Sequence, residues 1–146
     1  MKDNRVMNIA QEIKNSIRAA VHKAAADVNF NFNEIKTVTY PYVFLSLQNL
    51  ELEAVIDTYF RRVRELCLLE YGYSDEPKNE DLFAFQDVLS GALFSFDFLN
   101  TKISALNQQF SIVEKTLKMS FELDFYVRLE DEGEMMKELN ITIGEN

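Results

Sequence analysis

Three arginines, Arg61, Arg62 and Arg64, form the only basic cluster in the chain. Grouped guanidinium ions suit carboxylate or phosphate partners, because each presents a rigid fork of donors. A matching acidic run lies near the other end, Glu130-Asp131-Glu132-Gly133-Glu134. It lacks the alternating Asp/Asn spacing and central Gly of a calcium loop. It reads instead as a solvated charge run. One His and one Cys provide no nitrogen and sulfur set for a metal. His22 stands beside Val21 with nothing near it in sequence to tune its proton affinity, and reads as a half-exposed surface residue. Cys67 lies in an apolar segment and reads as a buried, inert thiol. The glycines Gly72, Gly91, Gly133 and Gly144 are far apart, so no phosphate-cradling loop is expected. No nucleophile–base pair is visible. We therefore expect no catalysis, cofactor or metal. What remains is surface chemistry: charge pairs and apolar contact.

The clearest element among those that carry these residues is the stretch 117–129. Leu117, Met119, Phe121, Leu123, Phe125, Val127 and Leu129 take every second position, with Lys118, Ser120, Glu122, Asp124, Tyr126 and Arg128 between them. Successive side chains on a strand point to opposite faces, so this is one long strand, apolar on one side and wet on the other. The acidic run follows, and then a weaker apolar pattern at Met135, Met136, Leu139, Ile141 and Ile143. Residues 130–146 thus read as an acidic, then apolar, C-terminal arm on a domain formed by residues 1–129. Such an arm can fold back on its own sheet or dock on a neighbour.

Upstream, Val6, Ile9, Ile13, Ile17, Val21 and Ala24 recur at spacings of three and four, which predicts a helix over 4–26 capped by Asp3 or Asn4. Asn29, Asn31 and Asn33 predict a turn that folds Phe30 and Phe32 onto the core. Residues 35–40 and 42–54 read as strands, the first half of the second being apolar on both sides. Residues 55–71 fit both a helical stripe and an alternating strand, with a lean to helix. A polar loop over 73–81 leads to a helix over 80–96, with Glu80 and Asp81 in its first turn. Strands follow at 101–106 and 110–113, joined by 107–109, and Glu114-Lys115 is the turn into the long strand. The order predicts an α+β fold, two helices covering one face of a mostly antiparallel sheet.

The 146 residues suit a single domain, which buries roughly 70% of its extended-chain surface and needs no staple. A lone cysteine excludes an internal disulfide and favours a reducing cytoplasm. The start, Met-Lys-Asp-Asn-Arg-Val-Met-Asn, has no apolar core, and no signal peptide is expected. The longest apolar run, Tyr42-Val43-Phe44-Leu45, is far short of a membrane span. A net charge of −9 disfavours stable binding to nucleic acid or an anionic membrane. It leaves open an acidic inhibitor that mimics DNA and blocks a nuclease or repressor. That reading needs a broad one-sign face, whereas Lys and Arg are interspersed as far as Arg128.

Ile112-Val113-Glu114, Leu117 and Phe121-Glu122-Leu123-Asp124-Phe125-Tyr126-Val127-Arg128, with the acidic residues beyond, resemble the tail terminator family of phages and phage-tail-like bacteriocins. Met136-Lys137-Glu138-Leu139-Asn140-Ile141 is similar to that family's closing segment, and Pro41-Tyr42-Val43-Phe44-Leu45 to its Pro-led second strand. Tyr59-Phe60-Arg61-Arg62-Val63 resembles its aromatic-and-arginine third strand, which assigns residues 59–71 as strand. That strand departs from clean alternation at Glu65 and at Cys67-Leu68-Leu69. The resemblance implies a ring, commonly of six copies, seated on the last ring of the tail tube. There it halts tube growth and meets the neck or connector, with the sheath as a further partner. It implies assembly in the host cytoplasm before incorporation in the tail. The expected contacts between copies are charge pairs of Arg61, Arg62, Arg64 and Arg128 with Glu130, Asp131, Glu132 and Glu134. Met135, Met136, Leu139 and Ile141 would form the apolar part of the arm.

Overall fold

A computed structural model describes residues 8–32, 39–55 and 60–128. Helix α1 (Ile9–Ala24) turns Ile9, Ile13, Ile17 and Val21 inward. It starts at Ile9, where Asn8 is extended and its side chain accepts the Gln11 N–H at 3.1 Å; the caps expected at Asp3 or Asn4 lie outside the described residues. After α1, His22 Nε2 donates to the Val28 carbonyl oxygen at 3.1 Å, and the ring meets Phe30 edge-on. The predicted Asn turn is instead a short strand, β1 (Asn29–Asn31), parallel to β2 (Tyr42–Leu47). The Asn29 side chain donates to the carbonyls of Thr39 and Pro41, which fastens the two strands. Phe30 and Phe32 do pack against the core. Of the strand expected at 35–40, Thr39 and Tyr40 are outside any strand, and the rest lies outside the described residues.

The stretch 42–54 is two strands, β2 and β3 (Glu51–Val55), both antiparallel to β4 (Phe60–Gly72). Leu47 pairs with Cys67 and Glu51 with Arg64, so residues 48–50 face only Glu65 and Leu66. The extra residue makes a bulge, which breaks the alternation. Glu65 holds it. This side chain points inward, is 2% exposed, and accepts the Asn49 N–H at 2.7 Å. The Gln48 N–H bonds the Leu66 carbonyl at 2.8 Å. The irregularity in the third strand is therefore a buried carboxylate that stitches the seam between β2 and β3. Burial keeps the Glu65 carboxyl above the usual carboxylate range, against the pull of those backbone N–H groups.

Helix α2 (Asn79–Ala92) buries Leu82, Phe85 and Leu89, and Asp81 accepts the Lys78 N–H at 3.1 Å at its start. It ends four residues earlier than the apolar pattern implies. Leu93 is buried, but Phe96 belongs to a small hairpin of β5 (Phe96–Phe98) and β6 (Thr101–Ile103). Leu106 begins β7 (Leu106–Val113) rather than ending β6, and the stretch read as a connection is a register shift inside β7, with Asn107 at φ 53°. Glu114 and Lys115, at φ 49° and 68°, form the two-residue turn into β8 (Thr116–Arg128). Both residues lie in the left-handed region that a primed hairpin turn requires.

The six-stranded sheet runs β1-β2-β4-β8-β7, with β3 continuing the line of β2 along β4. The strand assignment for 59–71 holds over 60–71, residue 59 lying outside the described residues, and β4 pairs with β8 from Phe60↔Arg128 to Tyr71↔Leu117. On the covered face Leu117, Met119, Phe121 and Leu123 join Val63, Cys67, Leu69, Val43 and Leu45 in one core with both helices. Tyr71 stacks on Phe85 at 3.8 Å, which ties the sheet to α2, and Phe98 lies 4.8 Å from Phe125. Cys67 is fully buried, and burial pushes its thiol up. Gly72 faces Tyr42 across β2 and β4, where a Cβ would overlap the tyrosine ring.

Two tests follow from this packing. Phe121→Ala empties the middle of the core and should cost about 3–5 kcal/mol, read as a drop in the denaturant midpoint; a cost under about 1 kcal/mol would contradict the burial described. The second concerns Glu65. With its folded value raised, its contribution to stability is full below the unfolded carboxylate range and is lost as pH rises through the folded value. Denaturation of the protein and of Glu65→Gln across pH should therefore show stability declining more steeply with rising pH in the parent. Parallel curves would contradict the assignment.

Candidate subunit-contact surface

The helices leave the other face of the sheet open. Register puts Phe44 and Ser46 of β2 on it, with Arg62, Arg64, Leu66, Leu68 and Glu70 of β4. Lys118, Ser120, Glu122, Asp124 and Tyr126 of β8 and Gln109 and Ser111 of β7 complete it. Leu66 and Leu68 are 38% and 40% exposed although they sit mid-sheet. Phe44, Ser46, Leu68, Gln109, Ser111 and Ser120 line a shallow hollow of about 420 Å³. Apolar side chains in the centre of an uncovered sheet, rimmed by hydroxyls and amides, are what a contact surface looks like before its partner arrives. The sequence carried a sign of this face in Cys67-Leu68-Leu69. Cys67 and Leu69 turn inward there, and Leu68 is an apolar residue at an outward position.

The arginine cluster does not form one patch. Arg62 makes a two-pronged ion pair with Asp124, Nε to Oδ1 at 2.9 Å and Nη2 to Oδ2 at 2.7 Å. The hydrogen bond from Arg62, before any other influence, holds the Asp124 carboxyl below its ordinary value. Its stabilising contribution is present at neutral pH and is lost as pH falls through the lowered value. Arg64 reaches Glu51 on β3 at 2.8 Å. Arg61 projects to the opposite face beside Val127, and its Nε is buried with no hydrogen-bond partner among the described residues. Arg128 is exposed at the far end of β8, paired in register with Phe60. Glu130, Asp131, Glu132, Glu134, Met135, Met136, Leu139 and Ile141 lie outside the described residues. Of the residues named from sequence, Arg62, Arg64 and Arg128 share the open face, and Arg62 and Arg64 each already have a carboxylate there. Exposed pairs of this kind stabilise by only about 0–1 kcal/mol, so exchanging one partner for another costs little.

Among the described residues no three His, Cys, Asp or Glu side chains come together as a metal site would need. His22 is occupied in fastening α1 to β1. No helix among the described residues is long and apolar enough to cross a membrane. Away from the sheet, Phe94 just past α2 is 73% exposed, and Leu99 at the tip of the β5–β6 hairpin has φ 53°. Apart from the final residues of the second predicted helix, neither place was marked by the sequence pattern, since each depends on where a helix stops.

Comparison with known proteins agrees with this geometry. A family model described as phage tail terminator protein matches residues 12–135. Among curated proteins none matches the chain. Among solved structures, the chain is similar to one from "Virion of native gene transfer agent (GTA) particle", with a TM-score of 0.55 and 10% sequence identity, over 84% of this chain and 99% of that one. At that identity the likeness is one of fold. The family match spans most of the sequence, from within α1 to beyond the end of β8, and on that ground the chain belongs to the phage tail terminator family.

Proposed function

We propose that this chain is a non-catalytic assembly protein that closes into a ring, commonly of six copies, on the end of a tail tube. There it stops tube growth and offers a surface to the neck. The observation that carries the reading is the open sheet face, with Leu66 and Leu68 uncovered between Arg62–Asp124 and Glu70–Lys118, in a chain of the tail terminator family. A head-to-tail contact between identical copies closes into a ring when its rotation divides the circle. The open face and the sheet edge beside it supply one side of such a contact. The C-terminal arm, with its acidic stretch and Met135, Met136, Leu139 and Ile141, supplies the other. Arg62, Arg64 and Arg128 stand ready to trade an internal or solvent partner for Glu130, Asp131, Glu132 or Glu134 of the neighbour. The partners in this reading are further copies, the tube protein, and the neck and sheath of a phage or a headless tail-like particle. Assembly takes place in the host cytoplasm.

The DNA-mimic reading is weaker on this surface. Arg62, Arg64 and Lys118 alternate with Asp124, Glu51 and Glu70, so the open face shows both signs of charge. A mimic of a phosphate backbone needs one.

Two outcomes test the ring. At −9 per copy the subunits repel, and salt shortens that repulsion to about 10 Å at 0.1 M. Sizing should therefore give more ring at higher salt, and weaker assembly at high salt would count against apolar closure. Truncation after Glu132 should leave a folded monomer, with unchanged circular dichroism, that no longer assembles. Rings from the truncated chain would remove the arm from the account.

A further inference from the structure

The sheet's edges are unequal. β1 has three residues, and β3 has five with Glu51 and Glu53 among them. β7 has eight, Leu-Asn-Gln-Gln-Phe-Ser-Ile-Val, and ends the strand order among the described residues. It contains no Lys, Arg, Asp, Glu or Pro. Natural edges are normally blunted by such residues, and an edge without them is a template for another strand. Its inward side chains, Phe110 and Ile112, touch the core but are only half-buried, whereas their partners Met119 and Leu117 on β8 are fully covered. The apolar layer is thus one strand short on this side.

The geometry points to the missing strand being residues 139–143 of a second copy, added along the free edge of β7. Leu139, Ile141 and Ile143 alternate with Asn140 and Thr142, the pattern of a strand apolar on one face. Laid beside β7, that face continues the layer of Phe110 and Ile112, while main-chain hydrogen bonds supply the attraction, as in strand addition generally. The donor is a neighbour because of where β8 ends. β7 stops against Glu122, and the chain leaves β8 at Arg128, roughly 20 Å farther along and directed away from β7. Ten residues, 129–138, precede Leu139, a reach of roughly 33 Å. To serve its own β7 the arm must reverse and carry Glu130, Asp131, Glu132 and Glu134 back past Glu122 and Asp124, like charge against like. A neighbour placed ahead of β8 needs no reversal. This inference rests on the ring reading and names the seat of the arm within it.

Amide hydrogen exchange on the full chain, compared between dilute monomer and assembled ring and with the chain truncated after Glu132, reads the edge directly. The β7 amides that point away from β8 should slow at least tenfold on assembly and stay fast in the truncated chain. In parallel, a Ser111→Cys chain mixed with a Thr142→Cys or an Asn140→Cys chain, under mild oxidation, should give covalent dimers, because only two different copies can supply the two thiols; Cys67 is buried and silent. Rings with β7 unchanged, or with no cross-link at either position, overturn this docking and leave the ring standing. Slow free-edge amides of β7 already present in the monomer place the arm on its own sheet and overturn it as well. A chain that stays monomeric at every concentration and salt, even with tube protein, sinks the ring reading itself and this inference with it.

Discussion

Everything in this molecule hangs on the ladder between β4 and β8. Two thirteen-residue strands, separated in sequence by a helix, a hairpin and β7, pair antiparallel over nearly their whole length. Their inward side chains make the floor of the core on which both helices rest, and their outward side chains make the open face. A ladder of such sequence separation costs loop entropy to form. It is held by a continuous apolar row from Leu117 to Val127, each member buried. A slip of one residue would turn that row to solvent, so the apolar pattern excludes every odd shift of register.

The same ladder explains why the two faces behave differently. One face is closed by α1, α2 and the β5–β6 hairpin. The other has no covering element among the described residues, and carries ion pairs set across strands, Arg62 to Asp124 and Arg64 to Glu51. Those pairs add little to stability. Glu65 belongs to the opposite, buried face, where its carboxylate accepts backbone N–H at the bulge and lets β2 and β3 share one side of β4.

The elements with a long, clean period were legible. The alternation at 117–129 gave β8, the four-residue spacing from Ile9 to Val21 gave α1, and Glu114-Lys115 gave the turn. What escaped were short elements decided by single side chains. Asn29 makes a strand of an apparent turn by bonding two carbonyls, and Glu65 splits one strand into two. The helix after residue 79 stops before Phe96, which the pattern had carried along with it. The surface was legible only in part. Three clustered arginines look like one patch in sequence, yet the two-residue period of β4 sends Arg61 to one side and Arg62 and Arg64 to two separate carboxylates. The alternation along β4 was obscured by Glu65 at an inward position and by Leu66 and Leu68 at outward ones.

A long-stranded sheet with an exposed face and, among the described residues, an unguarded edge is suited to meeting copies of itself, and the proposed role uses that shape. Elongation of purified tube protein, followed by electron microscopy with and without the chain, is the most direct measurement. Tubes should acquire a ring at one end and stop lengthening when chain is present in proportion to tube ends. Tubes that lengthen at the same rate, with the chain left free in solution, would contradict the account.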